Sequence, residues 1–289
     1  MRVLVTGGSG QLGQALLATA PGHIRVTAPP SHALDISCKD VVKRVLAEMR
    51  PEVVINAAAY TAVDRAESEP DRAYAVNAHA AACVAEAATA VHARVIHVST
   101  DFVFPGRQGT PYRPEDTPEP LNVYGHSKLA GERDVREATQ GSALIVRTAW
   151  LYAGAGRNFV TTMLRLMAER EAVRVVADQV GTPTWAQSLA RAVWAAVARP
   201  SLRGILHLTD AGVASWYDFA LAIQEEALSR GLLAGAIPVH PIASTDYPTP
   251  AQRPGYSVLD KTRTWAELNL TPLHWRDGLR AMLDGRDHA

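Results

Sequence analysis

Thr6-Gly7-Gly8-Ser9-Gly10-Gln11-Leu12-Gly13 follows directly after the apolar run Val3-Leu4-Val5 and leads into a segment with helical spacing of apolar residues. Gly7, Gly10 and Gly13 form the pattern GxxGxxG between a predicted strand and a predicted helix. Glycines in this context let the backbone approach a pyrophosphate, and the helix N-terminus offers free N–H groups to its oxygens. The alternative is a tight turn with close helix packing. We predict a dinucleotide site at residues 7–13, which we call the glycine turn.

Short apolar runs alternate with longer amphipathic segments through the first half of the chain. Their spacing predicts strands at residues 3–6, 24–28, 53–56, 94–99 and 143–147. It predicts helices at residues 12–20, 39–49, 72–91 and 123–137. Strict alternation implies parallel strand pairing with right-handed crossovers, so the predicted fold is an α/β doubly wound parallel Rossmann sheet.

The alternation loosens after residue 150. Helical spacing recurs at residues 158–170, 187–198 and 216–230, and strand-like runs occur at 173–177 and 205–208. The proline-rich segment 238–254 is predicted to be a loop region that can close over a ligand. We expect residues 1–150 to form the dinucleotide-binding Rossmann domain. Residues 151–289 are expected to form mainly a smaller, interleaved substrate-binding lobe, with some elements returning to the sheet.

The composition favours a small-molecule partner. Lys+Arg and Asp+Glu both number 29 in the 289 residues, so no bulk charge attracts nucleic acid or a membrane surface. The two cysteines, Cys38 and Cys83, show no disulfide or metal spacing, which suits a reducing compartment. The sequence carries no signal-peptide pattern and no run of about 18 apolar residues. We therefore expect a cytoplasmic protein without a membrane span.

Tyr124 and Lys128 lie four residues apart on one face of the predicted helix 123–137. A nearby ammonium favours the phenolate, so the sequence predicts a lowered tyrosine pKa and a phenol that can give a proton to a carbonyl. Thr100 follows a predicted strand at the carboxyl edge of the sheet, where its hydroxyl can bond the same carbonyl, although a strand-end turn residue is the alternative. His126 points off this face and is interpreted as a solvent or packing residue. The combination is typical of hydride transfer to a ketone.

The sequence indicates the coenzyme preference less clearly than it indicates the reaction. Small side chains in Asn56-Ala57-Ala58-Ala59, at the end of the third strand, suit a flat adenine or ribose, although they also suit close packing. The carboxylate that usually holds the ribose of NAD is missing from Ala28-Pro29-Pro30-Ser31-His32, at the end of the second strand. Asp35 is the first acid after the glycines, but it can instead cap a helix that starts near Ser37. No arginine marks a 2′-phosphate pocket either. We favour NADPH, with NADH as the alternative.

These motifs together resemble the extended short-chain dehydrogenase/reductase family, and within it the dTDP-4-dehydrorhamnose reductases. The resemblance runs through nearly the whole chain. Beyond the glycine turn it rests on Tyr60-Thr61-Ala62-Val63-Asp64-Arg65-Ala66-Glu67, Ser99-Thr100-Asp101-Phe102-Val103-Phe104-Pro105-Gly106, Leu121-Asn122-Val123-Tyr124-Gly125, Arg147-Thr148-Ala149-Trp150 and Asp178-Gln179-Val180-Gly181-Thr182-Pro183-Thr184. It implies an NAD(P)H-dependent enzyme that reduces the 4-keto group of dTDP-4-dehydro-L-rhamnose to dTDP-L-rhamnose.

The resemblance also implies roles for single residues. It places Thr100, Tyr124 and Lys128 in the catalytic roles. It places Trp150 against the sugar, where core packing is the alternative. It implies coenzyme contacts from Gly7, Gly10, Gln11, Leu12, Gly13, Asp35, Ile36, Ala58, Ala59, Tyr60, Tyr124 and Lys128.

Three further residues are candidates for contact with the substrate. Asp101 either orients the substrate, as Thr100 does, or caps the turn after the strand. Asn158 and Arg253 are candidates for the diphosphate, since a helix N-terminus and a guanidinium both bind anions. An ordinary N-cap is the alternative for Asn158, and a surface salt bridge is the alternative for Arg253.

Two departures from neighbouring families favour simple reduction. Sugar-nucleotide dehydratases carry a glutamate base where this chain has Phe102, and epimerases commonly carry Asn where it has Trp150. The remaining alternatives are a reductase of another dTDP-4-keto-deoxysugar and a non-catalytic NADP-binding subunit like the regulatory subunit of methionine adenosyltransferase.

The expected assembly is a monomer or a homodimer. Some family members join subunits through magnesium that is bound by glutamates, one of them just after the third glycine. Gln14-Ala15 offers no carboxylate at that place, so no structural metal is expected.

Overall fold

Strands and helices alternate through the first 150 residues of the computed structural model, which describes residues 1–285. The strands are, in chain order, β1 (Arg2–Thr6), β2 (Arg25–Thr27), β3 (Val53–Asn56), β4 (Arg94–Thr100), β5 (Leu144–Thr148), β6 (Leu151–Tyr152), β7 (Val173–Val176), β8 (Val180–Gly181), β9 (Thr184–Trp185), β10 (Gly204–His207), β11 (Ala214–Ser215) and β12 (Val239–Ile242). The α-helices are α1 (Gln11–Ala18), α2 (Lys39–Met49), α3 (Val63–Ala66), α4 (Pro70–Tyr74), α5 (Ala81–Ala90), α6 (Val123–Ala138), α7 (Phe159–Glu169), α8 (Ala186–Val197), α9 (Trp216–Ser229), α10 (Thr262–Leu268) and α11 (Trp275–Leu283).

Six strands form one parallel sheet in the order β10-β5-β4-β3-β1-β2, which confirms the predicted doubly wound α/β fold. The chain enters the sheet at β1, adds β2 at one edge and then crosses over to β3, β4 and β5. The carboxyl ends of these parallel strands lie along one edge of the sheet. The glycine turn after β1 and Thr100 at the end of β4 are therefore brought to the same side of the molecule.

Apolar side chains cover both faces of this sheet, as a buried parallel sheet requires. Along β1, Val3 and Val5 pack on one face with α1 and α8, whereas Leu4 packs on the other face with α2 and α5. Full burial of one such aliphatic side chain contributes about 1.5–3 kcal/mol. The alternation of side chains along β1 thus joins both helical layers to the strand that ends in the glycine turn.

The residues after 150 contribute to two places in the structure. A second apolar cluster forms around Tyr152, Phe219 and Trp275, beside the short strand pairs β6–β9, β7–β12 and β8–β11. In contrast, β10 lies at the edge of the central sheet next to β5, and α8 packs against α1.

Two predicted elements differ from the structure by more than their ends. The prediction of a loop over 238–254 is wrong in part, because Val239–Ile242 forms β12 parallel to β7. Pro241 is tolerated there because a strand at the edge of a two-stranded sheet need not donate every N–H. The predicted helix 72–91 is interrupted by a π-helical stretch, Ala75–Ala80. The other boundaries move by one or two residues.

Cys38 is exposed at the start of α2 and Cys83 lies in α5, and both are free thiols. Within residues 1–285, no helix combines the length and the apolar character needed to cross a bilayer.

Candidate active site

A cavity of about 760 Å³ lies at the carboxyl edge of the sheet. It is lined by the glycine turn, the segments that follow β2 and β3, the end of β4 and one face of α6. Trp150, Trp216 and Arg253 add to its wall from the later part of the chain. The volume lies in the range of known small-molecule sites.

The glycine turn brings bare backbone to the cavity wall. Gly7 has a φ of 72°, in the left-handed region, and a Cβ there would lie 2.7 Å from the Ala58 nitrogen. A Cβ at Gly13 would lie 2.2 Å from the Gly7 oxygen, so close packing also requires glycine. Gly10 precedes α1 without a side-chain cap. The first-turn N–H groups of α1 are therefore open to a ligand, and this cradle fits a pyrophosphate.

The segment after β3 contributes Ala58 and Ala59 to the cavity, whereas Tyr60 is not among the lining residues. The Tyr60 N–H donates to the Asn77 side-chain oxygen across 2.9 Å, and the Tyr60 hydroxyl donates to Glu69 across 3.0 Å. Asn77 lies in the π-helical stretch, and its amide also donates to the Ser127 hydroxyl across 2.9 Å. Asn77 thus ties the β3 end to α6, a role that no local sequence signal indicates.

Asp35 and Ile36 also line the cavity. The Asp35 carboxylate accepts from the Ser37 hydroxyl across 2.7 Å and from the Ser37 N–H across 2.9 Å. These hydrogen bonds from Ser37 lower the pKa of Asp35 and keep it ionised. The helix that follows begins at Lys39 rather than near Ser37. Asp35 therefore stabilises the preceding turn while its carboxylate remains at the cavity.

Tyr124 and Thr100, the two residues predicted to act on the substrate carbonyl, are hydrogen-bonded to each other. Tyr124 is buried in the first turn of α6, and Thr100 ends β4. Burial raises the pKa of Tyr124 to about 12, a hydrogen bond with Thr100 lowers it, and the charge of Asp101 raises it. The expected lowering of the tyrosine pKa is therefore wrong, because the loss of solvent on burial, together with the charge of Asp101, outweighs the hydrogen bond with Thr100. The phenol stays protonated at neutral pH, as a proton donor must.

Lys128 is buried one helical turn further along α6. Its ammonium donates to the main-chain oxygen of Val98 across 2.6 Å. Burial lowers the pKa of Lys128 to about 8, although the charge of Glu132 acts to raise it. An ammonium has three donors, so two remain for other partners.

The start of α6 is positioned by its neighbours. The Asn122 side chain caps the helix and accepts from the Gly125 N–H across 2.8 Å. A Cβ at Gly125 would lie 2.3 Å from the Phe102 oxygen, so glycine lets α6 approach the segment after β4. This contact brings Tyr124 beside Thr100. His126 is exposed, as its interpretation as a solvent-facing residue requires.

Asp101 is a buried carboxyl group in the cavity wall. The Thr100 hydroxyl donates to its Oδ1 across 3.1 Å. Burial raises the pKa of Asp101 to about 6, and hydrogen bonds with Ser257 and Thr100 act to lower it. Asp101 therefore changes charge near neutral pH within contact distance of a catalytic candidate.

Trp150 lines the cavity together with Trp216, a residue for which the sequence predicts no role at the site. The two rings are stacked with centroids 3.5 Å apart. Ser215 and Asp218 form a capping box that starts α9 at Trp216. That local pattern places Trp216 at a helix start, but nothing in it indicates the distant partner.

The two diphosphate candidates have different surroundings. The Asn158 side chain caps α7 by accepting from the Thr161 N–H across 3.1 Å, and its amide donates to the Gln11 side chain across 3.0 Å. Asn158 does not line the cavity, so its contacts are those of the N-cap alternative. Arg253 does line the cavity, where it pairs with Asp64 across 2.8 Å.

Metal-ligating side chains do not gather anywhere in the part of the chain that the structure describes: no group of three or more His, Cys, Asp or Glu residues there could hold a metal ion.

The profile of the family described as "RmlD substrate binding domain" matches residues 1–287. The dTDP-4-dehydrorhamnose reductase of Escherichia coli (strain K12) is 40% identical over 98% of this chain and 97% of that protein. The protein of the same name from Mycolicibacterium smegmatis is 46% identical over 96% of this chain and 84% of that protein.

A solved structure of a protein with the same name is also similar to this chain. The crystal structure of dTDP-4-dehydrorhamnose reductase from Bacillus anthracis, in complex with NADP, is 38% identical, covers 98% of this chain and 99% of that chain, and has a TM-score of 0.91. A family profile that spans nearly the whole chain, and relatives of this similarity, lead to one conclusion. The chain belongs to the RmlD substrate binding domain family.

Proposed function

We propose that this chain is an NADPH-dependent oxidoreductase that reduces the 4-keto group of dTDP-4-dehydro-L-rhamnose to dTDP-L-rhamnose. The observation that carries the proposal is the buried pair of Tyr124 and Thr100, with Lys128 one turn away, in a cavity that includes an uncapped helix N-terminus. The names of the relatives support the substrate, and the NADP complex of one of them supports the coenzyme.

The coenzyme would be held by the glycine turn, by Asp35 and Ile36, by Ala58 and Ala59, and by Lys128. Bound NADPH would supply the hydride that the carbonyl carbon receives. The carboxylate of Asp35 suits a ribose hydroxyl, so NADH remains the alternative coenzyme.

Tyr124 donates its proton to the carbonyl oxygen as negative charge develops there. Burial keeps the phenol protonated until that moment, and an alkoxide is basic enough to take the proton. The Thr100 hydroxyl holds the same oxygen by a hydrogen bond. Lys128 then stabilises the phenolate and binds the coenzyme ribose through the donors that Val98 does not use. A general acid of this kind accounts for about 10²–10⁴ in rate.

The substrate would lie against the wall that Trp150 and Asp101 share. Arg253 is proposed to bind the diphosphate, in exchange for part of its contact with Asp64. Asn158 can take part only through the segment that it caps.

In this proposal the two parts of the chain bind different ligands. Residues 1–150 bind the dinucleotide, while residues 151–289 mainly bind the dTDP-keto-sugar and return β10 and α8 to the sheet. We propose a cytoplasmic enzyme that is a monomer or a homodimer.

The proposal is tested by identifying the product. The keto-sugar is made in situ from dTDP-glucose with a dehydratase and a 3,5-epimerase, and the protein is added with NADPH or with NADH. We expect coenzyme oxidation coupled to formation of dTDP-L-rhamnose, faster with NADPH. Turnover only of a different dTDP-4-keto-deoxysugar would favour the alternative reductase. Coenzyme binding without any turnover would favour the non-catalytic subunit.

A further inference from the structure

The ring of Trp150 is held between Gly181 and Trp216, which we call the clamp. We propose that the clamp fixes the orientation of the Trp150 indole and thereby determines which hexose the cavity accepts. The proposal rests on the proposed function, because Trp150 is the residue expected to contact the sugar.

Trp216 covers one face of the Trp150 ring. The ring centroids are 3.5 Å apart, and the ring planes are only 5° from parallel. Phe159 packs against Trp216 with a centroid distance of 4.6 Å, so Trp216 is itself supported by α7. The face of Trp150 that meets Trp216 is therefore closed to a ligand.

Gly181 lies against the opposite face, over the part of the indole formed by Nε1, Cε2 and Cζ2. A Cβ at position 181 would lie 2.6 Å from Cε2, 2.8 Å from Cζ2 and 2.8 Å from Nε1 of Trp150. Nearly equal distances to three consecutive ring atoms place this Cβ above the ring plane rather than beside the ring edge. Trp216 occupies the space above the other face, and none of its atoms is among the three nearest to this Cβ. Any side chain at 181 would therefore push the indole from the side that Trp216 does not cover.

Both parts of the clamp belong to one structural unit. Gly181 ends β8, which pairs antiparallel with β11 so that Gly181 lies opposite Ala214. Trp216 directly follows β11 as the first residue of α9. The capping box between Ser215 and Asp218 fixes that helix start. The pairing of β8 with β11 therefore sets the gap into which the indole fits.

The main chain of Trp150 is constrained as well. Its φ is 46°, in the left-handed region that bulky residues rarely adopt. The Thr184 N–H donates to the Trp150 oxygen across 3.1 Å, and Leu151 pairs with Thr184 in the β6–β9 register. The indole is thus constrained by its backbone as well as by contacts on both faces.

The clamp is expected to affect binding of the sugar and not binding of the coenzyme. Trp150 lines the cavity, but Trp216 covers one of its faces and Gly181 occupies part of the other, so in this proposal the ligand meets the rim of the indole rather than an open stacking surface. A rim held in one place discriminates between hexoses by steric fit. The coenzyme cradle is built from other elements, so a change in the clamp should leave coenzyme binding unchanged.

Gly181→Ala is the direct test, with Gly235→Ala as the matched control because a Cβ at Gly235 meets nothing within 4 Å. Two indoles this close couple excitonically, and the resulting couplet in the circular dichroism spectrum depends on the rotation of one ring relative to the other, so it reports the Trp150–Trp216 geometry. Trp216→Phe removes one partner and identifies the couplet. Calorimetry on each protein measures the affinities for dTDP-L-rhamnose, dTDP and NADPH.

We expect Gly181→Ala to change the couplet and to weaken dTDP-L-rhamnose binding by about tenfold, because small displacements at a binding wall are costly. Affinities for dTDP and NADPH should stay as in the wild type, as should all properties of Gly235→Ala. Trp216→Phe should show the same selective loss, and it decides the question if thermal unfolding shows that Gly181→Ala does not fold.

A wild-type couplet and wild-type sugar affinity in Gly181→Ala would overturn the proposal. Equal losses of dTDP and dTDP-L-rhamnose binding in Trp216→Phe would also overturn it. Failure of the proposed function looks different: the wild type would then bind dTDP-L-rhamnose no better than dTDP and would not turn over the keto-sugar. In that case an altered couplet in Gly181→Ala would still show that the clamp holds the indole.

Discussion

Lys128 donates a hydrogen bond from its ammonium to the main-chain oxygen of Val98 across 2.6 Å. This contact attaches the face of α6 that carries Tyr124 and Lys128 to β4, the strand that ends in Thr100. Because the ammonium is buried there, the pKa of Lys128 falls to about 8. One member of the proposed catalytic set therefore titrates near physiological pH.

Activity should accordingly fall as the pH rises through about 8. Lys128 is charged below its pKa. Above that pKa it loses the charge that is proposed to stabilise the Tyr124 phenolate. The pH profile of kcat/KM reports this group in the free enzyme. In Lys128→Arg the guanidinium stays charged, so the slower variant should lack the decline near pH 8. The same decline in both proteins would assign it to another group.

Asp101 should make stability depend on pH in a defined direction. Its pKa is raised from 3.8 to about 6, so the folded state favours the protonated carboxyl. The stabilising contribution is complete below pH 3.8 and is lost as the pH rises to about 6, for a total of about 3 kcal/mol. The unfolding free energy of Asp101→Asn, relative to that of the wild type, should therefore increase by about that amount as the pH rises from 4 to 7.

Urea unfolding at several pH values measures this gain. Asp246→Asn is the matched control, because Asp246 is exposed and a solvated carboxylate gains little from the change. A pH-independent difference between Asp101→Asn and the wild type would contradict the assignment.

Glu132 and Arg147 form a buried bidentate ion pair, with distances of 2.9 Å from Nε to Oε1 and 2.7 Å from Nη2 to Oε2. Glu132→Gln leaves the guanidinium buried without its counter-charge, which should cost about 3–5 kcal/mol of unfolding free energy. In the exposed pair of Arg165 and Glu169, Glu169→Gln should cost less than about 1 kcal/mol. Equal losses in the two variants, measured by denaturant unfolding, would contradict the burial argument.

Asp35→Asn should shift the coenzyme preference towards NADPH. The change removes a negative charge from the cavity but keeps an oxygen that can accept from Ser37. If the adenosine ribose lies against Asp35, the ratio of kcat/KM for NADPH to that for NADH should rise by about 3- to 10-fold. Asp40→Asn, at an exposed position in α2, should leave the ratio unchanged. An unchanged ratio in Asp35→Asn would place the ribose elsewhere.

The parts of the structure that sequence reasoning predicted are set by local patterns. The apolar runs and the glycine turn suffice for the parallel sheet, because strand burial and turn geometry depend on neighbouring residues. The spacing of Tyr124 and Lys128 likewise places both on one face of α6, where the structure has them buried. These features needed no knowledge of distant contacts.

The parts that were missed depend on distant contacts. Trp216 reaches Trp150 only because β8 and β11 pair, and Val239–Ile242 becomes a strand only because β7 lies beside it. The direction of the Tyr124 pKa shift depends on burial, which the spacing to Lys128 does not report. Residue spacing predicted which side chains form the candidate site, while packing determined the direction of the Tyr124 pKa shift.

The most direct test of the account is Tyr124→Phe in the assay that forms dTDP-L-rhamnose from the keto-sugar. The variant lacks only the phenol hydroxyl, which is the proposed proton donor, so turnover should fall by about 10²–10⁴ with little loss of NADPH affinity. Tyr247→Phe, at an exposed tyrosine outside the cavity, should retain wild-type turnover. Formation of dTDP-L-rhamnose by Tyr124→Phe at a rate close to that of the wild type would contradict the account.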